Sequence, residues 1–307
     1  MTTTRARGAA IIMAMLLAAL AATIAATLLW QQQRWMSVHE HRRDQVQAQA
    51  LALAGIQWAR QIIHDNAPAG APVHLGQPWA LRLPAIPIES GSIAGYIVDA
   101  QSRINVNNLA NGSVQPSSHR ALVQLFSARG VSPNLVNAVN DWVDADDTVS
   151  EPGGAEDAWY LAQTPPGLAA NAPLRRVDEL LAVRGMDASS FARLSPFISA
   201  IDAPAAVNVN TAPPEVLSAL VPGLDRAGVL GLAQKRSQAP FVSVFDFRAR
   251  LARPDLSFDD TLVDVKSAWF EVSIEARQGE TLARARALLK RATTGNEWPA
   301  VVWQTVE

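Results

Sequence analysis

The sequence predicts an α+β protein: a long N-terminal transmembrane helix, an antiparallel sheet, and a large all-helical domain inserted into that sheet. Three observations predict it. Residues 9–29 are uniformly apolar, and good helix formers follow them with no Gly or Pro until Gly55. Strand-like segments stand at 91–109 and 267–278. Between them, from Ser117 to about Leu251, short helical patterns succeed one another with Pro or Gly at nearly every join. Strand material on both sides of a helical block is most economically an insertion. The chain accordingly divides into a polar leader (1–8), a membrane segment (9–29), a helix with the first part of an α/β domain (30–107), the helical insert (108–262) and closing strands (263–307).

Each element rests on its own pattern. After the apolar run, Val46, Ala50, Leu53, Ile56 and Ile63 recur at helical spacing, which carries one helix to about Ile63. A separate amphipathic helix after a hinge fits the same residues. Pro and Gly density makes 65–78 a loop. WALRLP (79–84) and then 91–109 read as short strands, with Ile93, Tyr96, Val98, Ile104 and Val106 favouring β and a turn at 99–102. In SAWFEVSIEARQ, Phe270, Val272, Ile274 and Ala276 share one face and Glu271, Ser273 and Glu275 the other, the pattern of a half-buried strand. TLARARALLKR can alternate in the same way, with helix as its alternative, and WPAVVWQTVE supplies a last strand. INVNNL (104–109) and VNVNTA (207–212) share a four-residue core, Ile or Val followed by NVN, before helical segments. Two matches of four residues do not establish a repeat. Asn107, Asn108 and Thr211 within them are read as helix caps or partners of turn backbone.

Composition narrows function by exclusion. The 307 residues are 49% hydrophobic and 18% charged, enough to bury a core and too apolar for disorder. A net charge of −2 supplies no overall reason to bind nucleic acid or an anionic membrane surface. With no cysteine, disulfides, thiol catalysis and Cys-ligated zinc are excluded. No GxSxG, HExxH, P-loop or dinucleotide fingerprint is present, so the chain does not read as an enzyme.

Arg5 and Arg7 precede the apolar run, and the next charge is Arg34. A helix over 9–29 reaches roughly 30 Å, the thickness of a bilayer's hydrocarbon core. The flanking arginines orient its N-terminus to the cytoplasm. A cleaved signal peptide is the alternative, although its apolar region normally spans about 7–15 residues.

The most chemically loaded stretch is DWVDADDTVSEPGGAEDAWY (141–160). Asp141, Asp144, Asp146, Asp147, Glu151, Glu156 and Asp157 fall there with no Lys, Arg or His among them. Crowded carboxylates raise one another's pKa, and a hard divalent cation relieves the conflict with about 6–8 oxygen ligands. Pro152, Gly153 and Gly154 let the chain fold back and bring both ends of the run to one ion. No EF-hand spacing is present. A solvated acidic loop and a catalytic carboxylate pair are the other readings.

Two resemblances sharpen this picture. Basic residues, then Gly8, then an unbroken apolar helix resemble the start of type IV prepilins and pseudopilins. That resemblance implies cleavage after Gly8 by a prepilin peptidase and N-methylation of the new terminus, Ala9. Most of that family carry a glutamate at the fifth mature position, thought to neutralise the terminal amine of the subunit ahead; here that position is Met13. A subunit with nothing ahead of it has no amine to neutralise, since only a buried ammonium needs such a partner. DWVDADD, PGGAEDAWYL, NAPLRRVDELLAVRGM and VNVNTAPPEVLSAL further resemble the K-type minor pseudopilins of the bacterial type II secretion system. This likeness spans most of the chain. It implies a pseudopilin-type sheet with a helical insertion, and calcium in the acidic loop. By position, Asp144, Asp146, Asp147, Glu151, Glu156 and Asp157 would bind the calcium, with Asp141 a weaker candidate. It also implies a single-pass protein of the bacterial inner membrane with its body in the periplasm. Its partners would be the I- and J-type minor pseudopilins at the pseudopilus tip, where it would start and cap the fibre for protein export across the outer membrane.

One competing pattern stands in the insert. ALVPGLDRAGVLGLAQKR (219–236) resembles a helix-hairpin-helix, which can grip DNA phosphates through backbone N–H groups. It would suit a membrane-anchored, competence-type DNA-binding protein. Asp225 in the hairpin opposes phosphate.

Overall fold

The computed structural model describes residues 3–66, 70–89, 91–110, 115–251, 253, 255–292 and 297–307, with backbone alone for 3–9, 37 and 115. One helix, α1, occupies Thr3–Asn66. From Ile11 to Leu29 its large apolar side chains are all at least half exposed. Its apolar stretch is long and apolar enough to cross a membrane. The leader's Met1 and Thr2 lie outside the described residues, as does everything beyond the backbone of Gly8 and Ala9.

Beyond Ala48 one face of α1 is buried, but it is lined by Ala48, Ala52, Ile56, Ala59 and Ile63. Val46, read from sequence as part of the apolar face, is 66% exposed instead. Small residues win this face because the helix lies close on the sheet. A Cβ at Gly55 would meet Ile274 at 2.8 Å, and one at Gly95 would meet the same side chain at 2.6 Å.

That sheet joins β1 (Leu83–Ile88), β2 (Gly91–Asp99), β7 (Trp269–Gln278), β8 (Thr281–Lys290) and β9 (Ala300–Val306) in the order β1-β2-β7-β8-β9. All its pairs are antiparallel. β1 lies later than the sequence indicated. Residues 78–80 form a 3-10 turn, and the strand carries Pro84 and Pro87, which an edge strand tolerates because one side needs no N–H. α1 covers Phe270, Val272, Ile274 and Ala276 of β7 and Ala283, Ala285, Ala287 and Leu289 of β8. The other face packs Trp269 and Leu288 on Ala100, Ile201 and Ala205.

Between β2 and β7 the chain builds a second core. The helices are α2 (Gln115–Ala128), α3 (Leu135–Val143), α4 (Asp157–Leu161), α5 (Ala188–Leu194), α6 (Pro214–Leu220), α7 (Arg226–Gln238) and α8 (Val244–Ala249). Leu122, Leu125, Phe126, Val136, Val139, Leu217, Phe241 and Phe247 are fully buried there. Each such side chain contributes about 1.5–3 kcal/mol relative to exposure. Two parallel bridges tie the block together, β3 (Ile104–Asn105) with β4 (Ile198–Ser199) and β5 (Val207–Asn208) with β6 (Val263–Asp264).

The NVN echo proves to be a structural repeat. Asn107 donates to Leu174 O and accepts from Leu174 N, both at 2.8 Å. Asn210 does the same with Phe241, at 2.9 and 2.8 Å. Leu174 and Phe241 each follow an Ala-Pro pair. The preceding asparagines, Asn105 and Asn208, each accept the backbone N–H two residues on. Asn108 clasps Ala205 through both its N–H and C=O, and Thr211 donates to Asp99, so these polar residues satisfy buried groups of the fold.

Asp99 anchors the block to the sheet. Its buried carboxylate accepts from Gln101 N (2.9 Å), Thr211 Oγ1 (2.6 Å), Ser267 Oγ (2.6 Å) and Asn208 Nδ2 (3.0 Å). Burial nonetheless pushes its pKa up.

Candidate metal centre

The acidic loop leaves the C-terminal end of α3. That helix turns its apolar face inward and so carries Asp141 into full burial. Both Asp141 oxygens accept Ser150 N–H at 3.1 Å, which closes the loop on itself. The returning segment passes directly over this carboxylate. A Cβ at Gly154 would lie 2.2 Å from Asp141 Oδ2, so only glycine fits there.

Three carboxylates converge beside this closure. Asp144, Asp146 and Glu156 each offer one oxygen, and these oxygens all lie within 4.8 Å of one another. Oxygens on opposite sides of one calcium ion stand about 5 Å apart, twice a metal–oxygen distance of about 2.3–2.6 Å. Asp144 Oδ2 accepts from Asn140 Nδ2 at 2.6 Å, while its buried Oδ1 has no donor among the described residues. Asp146 Oδ1 accepts Thr148 N–H at 2.8 Å. Glu156 is only 5% exposed, and neither of its oxygens has a donor among the described residues. Burial, reinforced by Asp141, Asp144, Asp147 and Asp146, pushes Glu156 up to about 7. Burial with Asp146 and Asp141 pushes Asp144 up to about 6. Buried anionic acceptors without donors cost several kcal/mol each unless a cation or proton joins them.

The other candidate ligands lie outside this cluster of three. Asp147 is exposed and touches Asn171 Nδ2 at 3.4 Å. Glu151 folds onto Gly153 N–H at 3.3 Å. Asp157 heads α4 and accepts Ala169 N–H at 2.9 Å.

Two neighbours of the loop escaped the sequence. Asn171, at φ 45°, reaches Asp147 through its Nδ2 and holds a buried Oδ1 with no donor among the described residues. Arg184 donates to Gly154 O at 2.8 Å, lies 5.4 Å over the Trp159 ring, and through its backbone N–H meets the Tyr160 hydroxyl at 3.1 Å. Asn140 could have been found, since it stands one helical turn before Asp144. Arg184 and Asn171 both lie in NAPLRRVDELLAVRGM (171–186), but nothing in that segment ties either residue to the acidic loop.

The hairpin between α6 and α7 gives the DNA-binding alternative no support. Asp225 caps α7 by accepting Gly228 N–H at 2.7 Å, filling the N-terminus a phosphate would need. Lys235 and Arg236 donate to backbone carbonyls of Arg250, Val209 and Ala212.

Models of the type II secretion system protein K family match residues 102–203 and 207–266. The type II secretion system protein K of Klebsiella pneumoniae is 31% identical over 307 residues, covering 94% of this chain and 93% of its own. That of Aeromonas hydrophila is 32% identical over 240 residues, covering 71% and 72%. The crystal structure of the GspK-GspI-GspJ complex from enterotoxigenic Escherichia coli contains a chain with TM-score 0.74 and 27% identity, covering 89% of this chain and 99% of that one.

Proposed function

The chain belongs to the type II secretion system protein K family, a pseudopilin component of that system, and on that premise we propose that it stands at the tip of the pseudopilus, starting and capping the fibre. The carrying observation is where the helical block sits along α1. The β7–β8 turn lies beside Asp44, since a Cβ at Gly279 would meet its carboxylate at 2.7 Å. The block joins the opposite end of the sheet, where Val73 N–H, past the end of α1, bonds Val265 O at 2.8 Å and Asn208 bonds Val73 O at 2.9 Å. Its bulk therefore lies farthest from the apolar segment 9–29, where a subunit stacked above would need room. Met13 in place of a glutamate supports the same reading, because a tip subunit has no amine ahead of it to neutralise.

In this reading the body lies in the periplasm and 9–29 in the inner membrane. A prepilin peptidase cuts between Gly8 and Ala9, and Ala9 is methylated. The relative of known structure is found with GspI and GspJ, which supports I- and J-type minor pseudopilins as partners here. Calcium binds in the acidic loop through Asp144, Asp146 and Glu156, and its work is structural: it neutralises the buried carboxylates and holds the loop on the block.

Immunogold labelling of this chain on assembled pseudopili tests the position. Label confined to fibre ends is expected, and label along the shaft would overturn it. Intact mass after co-expression with a prepilin peptidase should show loss of residues 1–8 plus one methyl group, abolished by Gly8→Ala.

A further inference from the structure

Where the helical block overhangs the face of the sheet opposite α1, a half-open cleft of about 340 Å³ runs between them. Arg103, Arg175, Arg176 and Arg286 line it, against only Asp178 and Glu271. Both acids are already engaged. Asp178 takes a two-pronged contact from Arg176 at 2.8 and 3.0 Å, and Glu271 pairs with Arg103 at 2.8 Å. Arg175 and Arg286 are exposed and have no carboxylate partner among the described residues. Trp303, in the same wall, holds a buried indole N–H with no acceptor among the described residues. Phe191, Pro196 and Val177 give the cleft an apolar side.

Trp303 belongs to β9, which is an edge strand. Arg284 and Glu307 exchange both backbone hydrogen bonds, so by antiparallel alternation the N–H and C=O of Gln304 and Val306 point away from β8. The other edge, β1, is guarded by two prolines; β9 has no proline and no lysine.

The geometry points to an interaction surface for an extended acidic segment of a partner protein, which pairs with the edge of β9 and sets a carboxylate among Arg175, Arg286 and the Trp303 indole. Unmatched guanidinium groups favour carboxylate, the orphaned indole N–H needs an acceptor, and the free edge needs a backbone. A lone anion would satisfy the first two and leave the third. The inference does not depend on the tip reading.

The test uses the full chain in detergent and a tetramethylrhodamine-labelled Val-Glu-Val-Glu-Val peptide, read by fluorescence anisotropy. It should bind at least about tenfold more tightly than Val-Gln-Val-Gln-Val, and an Arg175→Gln/Arg286→Gln double variant should lose about that factor. The indole N–H resonance of Trp303, assigned through Trp303→Phe, should shift when the acidic peptide binds. Both arginines are at the surface, and the double variant should melt as the parent does; the comparison of the two peptides on the unaltered chain stands even if it does not. No binding of the acidic peptide, equal binding of the neutral one, or an unaffected double variant would overturn the proposal. Full displacement by inorganic phosphate would also overturn it, by making the cleft a site for any small anion.

Discussion

Residues 102–203 and 207–266 open with the same asparagine clasp and then diverge. In the second stretch the clasped residues are 31 apart in sequence, and α6 and α7 lead directly to Phe241. In the first they are 67 apart, and the acidic loop fills the added length. The second stretch is closed by ordinary packing and caps. The first contains buried carboxylates that its own residues do not neutralise. A frame that stands without the loop in one copy carries it in the other, so the loop's charge conflict is an added feature, which the proposed calcium would relieve.

The most severe way to break this comparison is to cut the clasps. Asn107→Ala and Asn210→Ala each strand one buried N–H and one buried C=O, at about 1–3 kcal/mol apiece. Each variant should lose about 2–6 kcal/mol in urea unfolding. A harmless Asn107→Ala beside a damaging Asn210→Ala would show that the clasps are not equivalent.

Removing calcium comes next. At a hundredfold excess over its Kd a bound ion stabilises by about 2.7 kcal/mol, so chelation should lower the melting temperature by about 5–10 °C. Amide exchange should quicken across 141–171 and stay unchanged across 207–266. An identical melt with and without calcium would remove the metal from the account.

A smaller effect separates the copies by pH in the chelated protein. Glu156 and Asp144 titrate higher in the fold, at about 7 and about 6, than their usual 4.5 and 3.8. The folded state thus holds protons the unfolded state has released. Their contribution is full below about pH 4 and is lost as pH rises through about 6 to 7. The chelated chain should therefore melt higher at pH 5 than at pH 8. Glu156→Gln should flatten that slope; a slope unchanged in the variant would place its origin elsewhere.

The mildest change lies in the second copy. Asp225→Ala removes the cap of α7 and should cost about 1 kcal/mol, with no dependence on calcium, in thermal melts.

Elements with a strong period were legible from the residues alone. β7 alternates so cleanly that its buried face is legible residue by residue, whereas the segment after it fits strand and helix alike, and only its pairing with β7 makes it β8. The sheet-facing side of α1 was not legible, because alanines and Gly55 line it and hydrophobicity ranks Val46 above them. The repeat was too short to trust as four letters; the paired contacts of Asn107 and Asn210 reveal it. In the acidic loop the residue types were evident, but not which three would converge. Asp141, ranked lowest, became the buried staple on Ser150.

Local order along the chain determined the membrane-length helix, the alternating strands, the segmented helices and the density of carboxylates, because each depends on neighbours within a few residues. Only the tertiary structure decided that Asp144, Asp146 and Glu156 converge, that Asn171 reaches Asp147 and Arg184 holds Gly154, and that Arg175, Arg286 and Trp303 line one cleft. Those groupings join segments far apart in sequence, and burial, which removes the water that would otherwise screen their charges, exists only once the chain has folded.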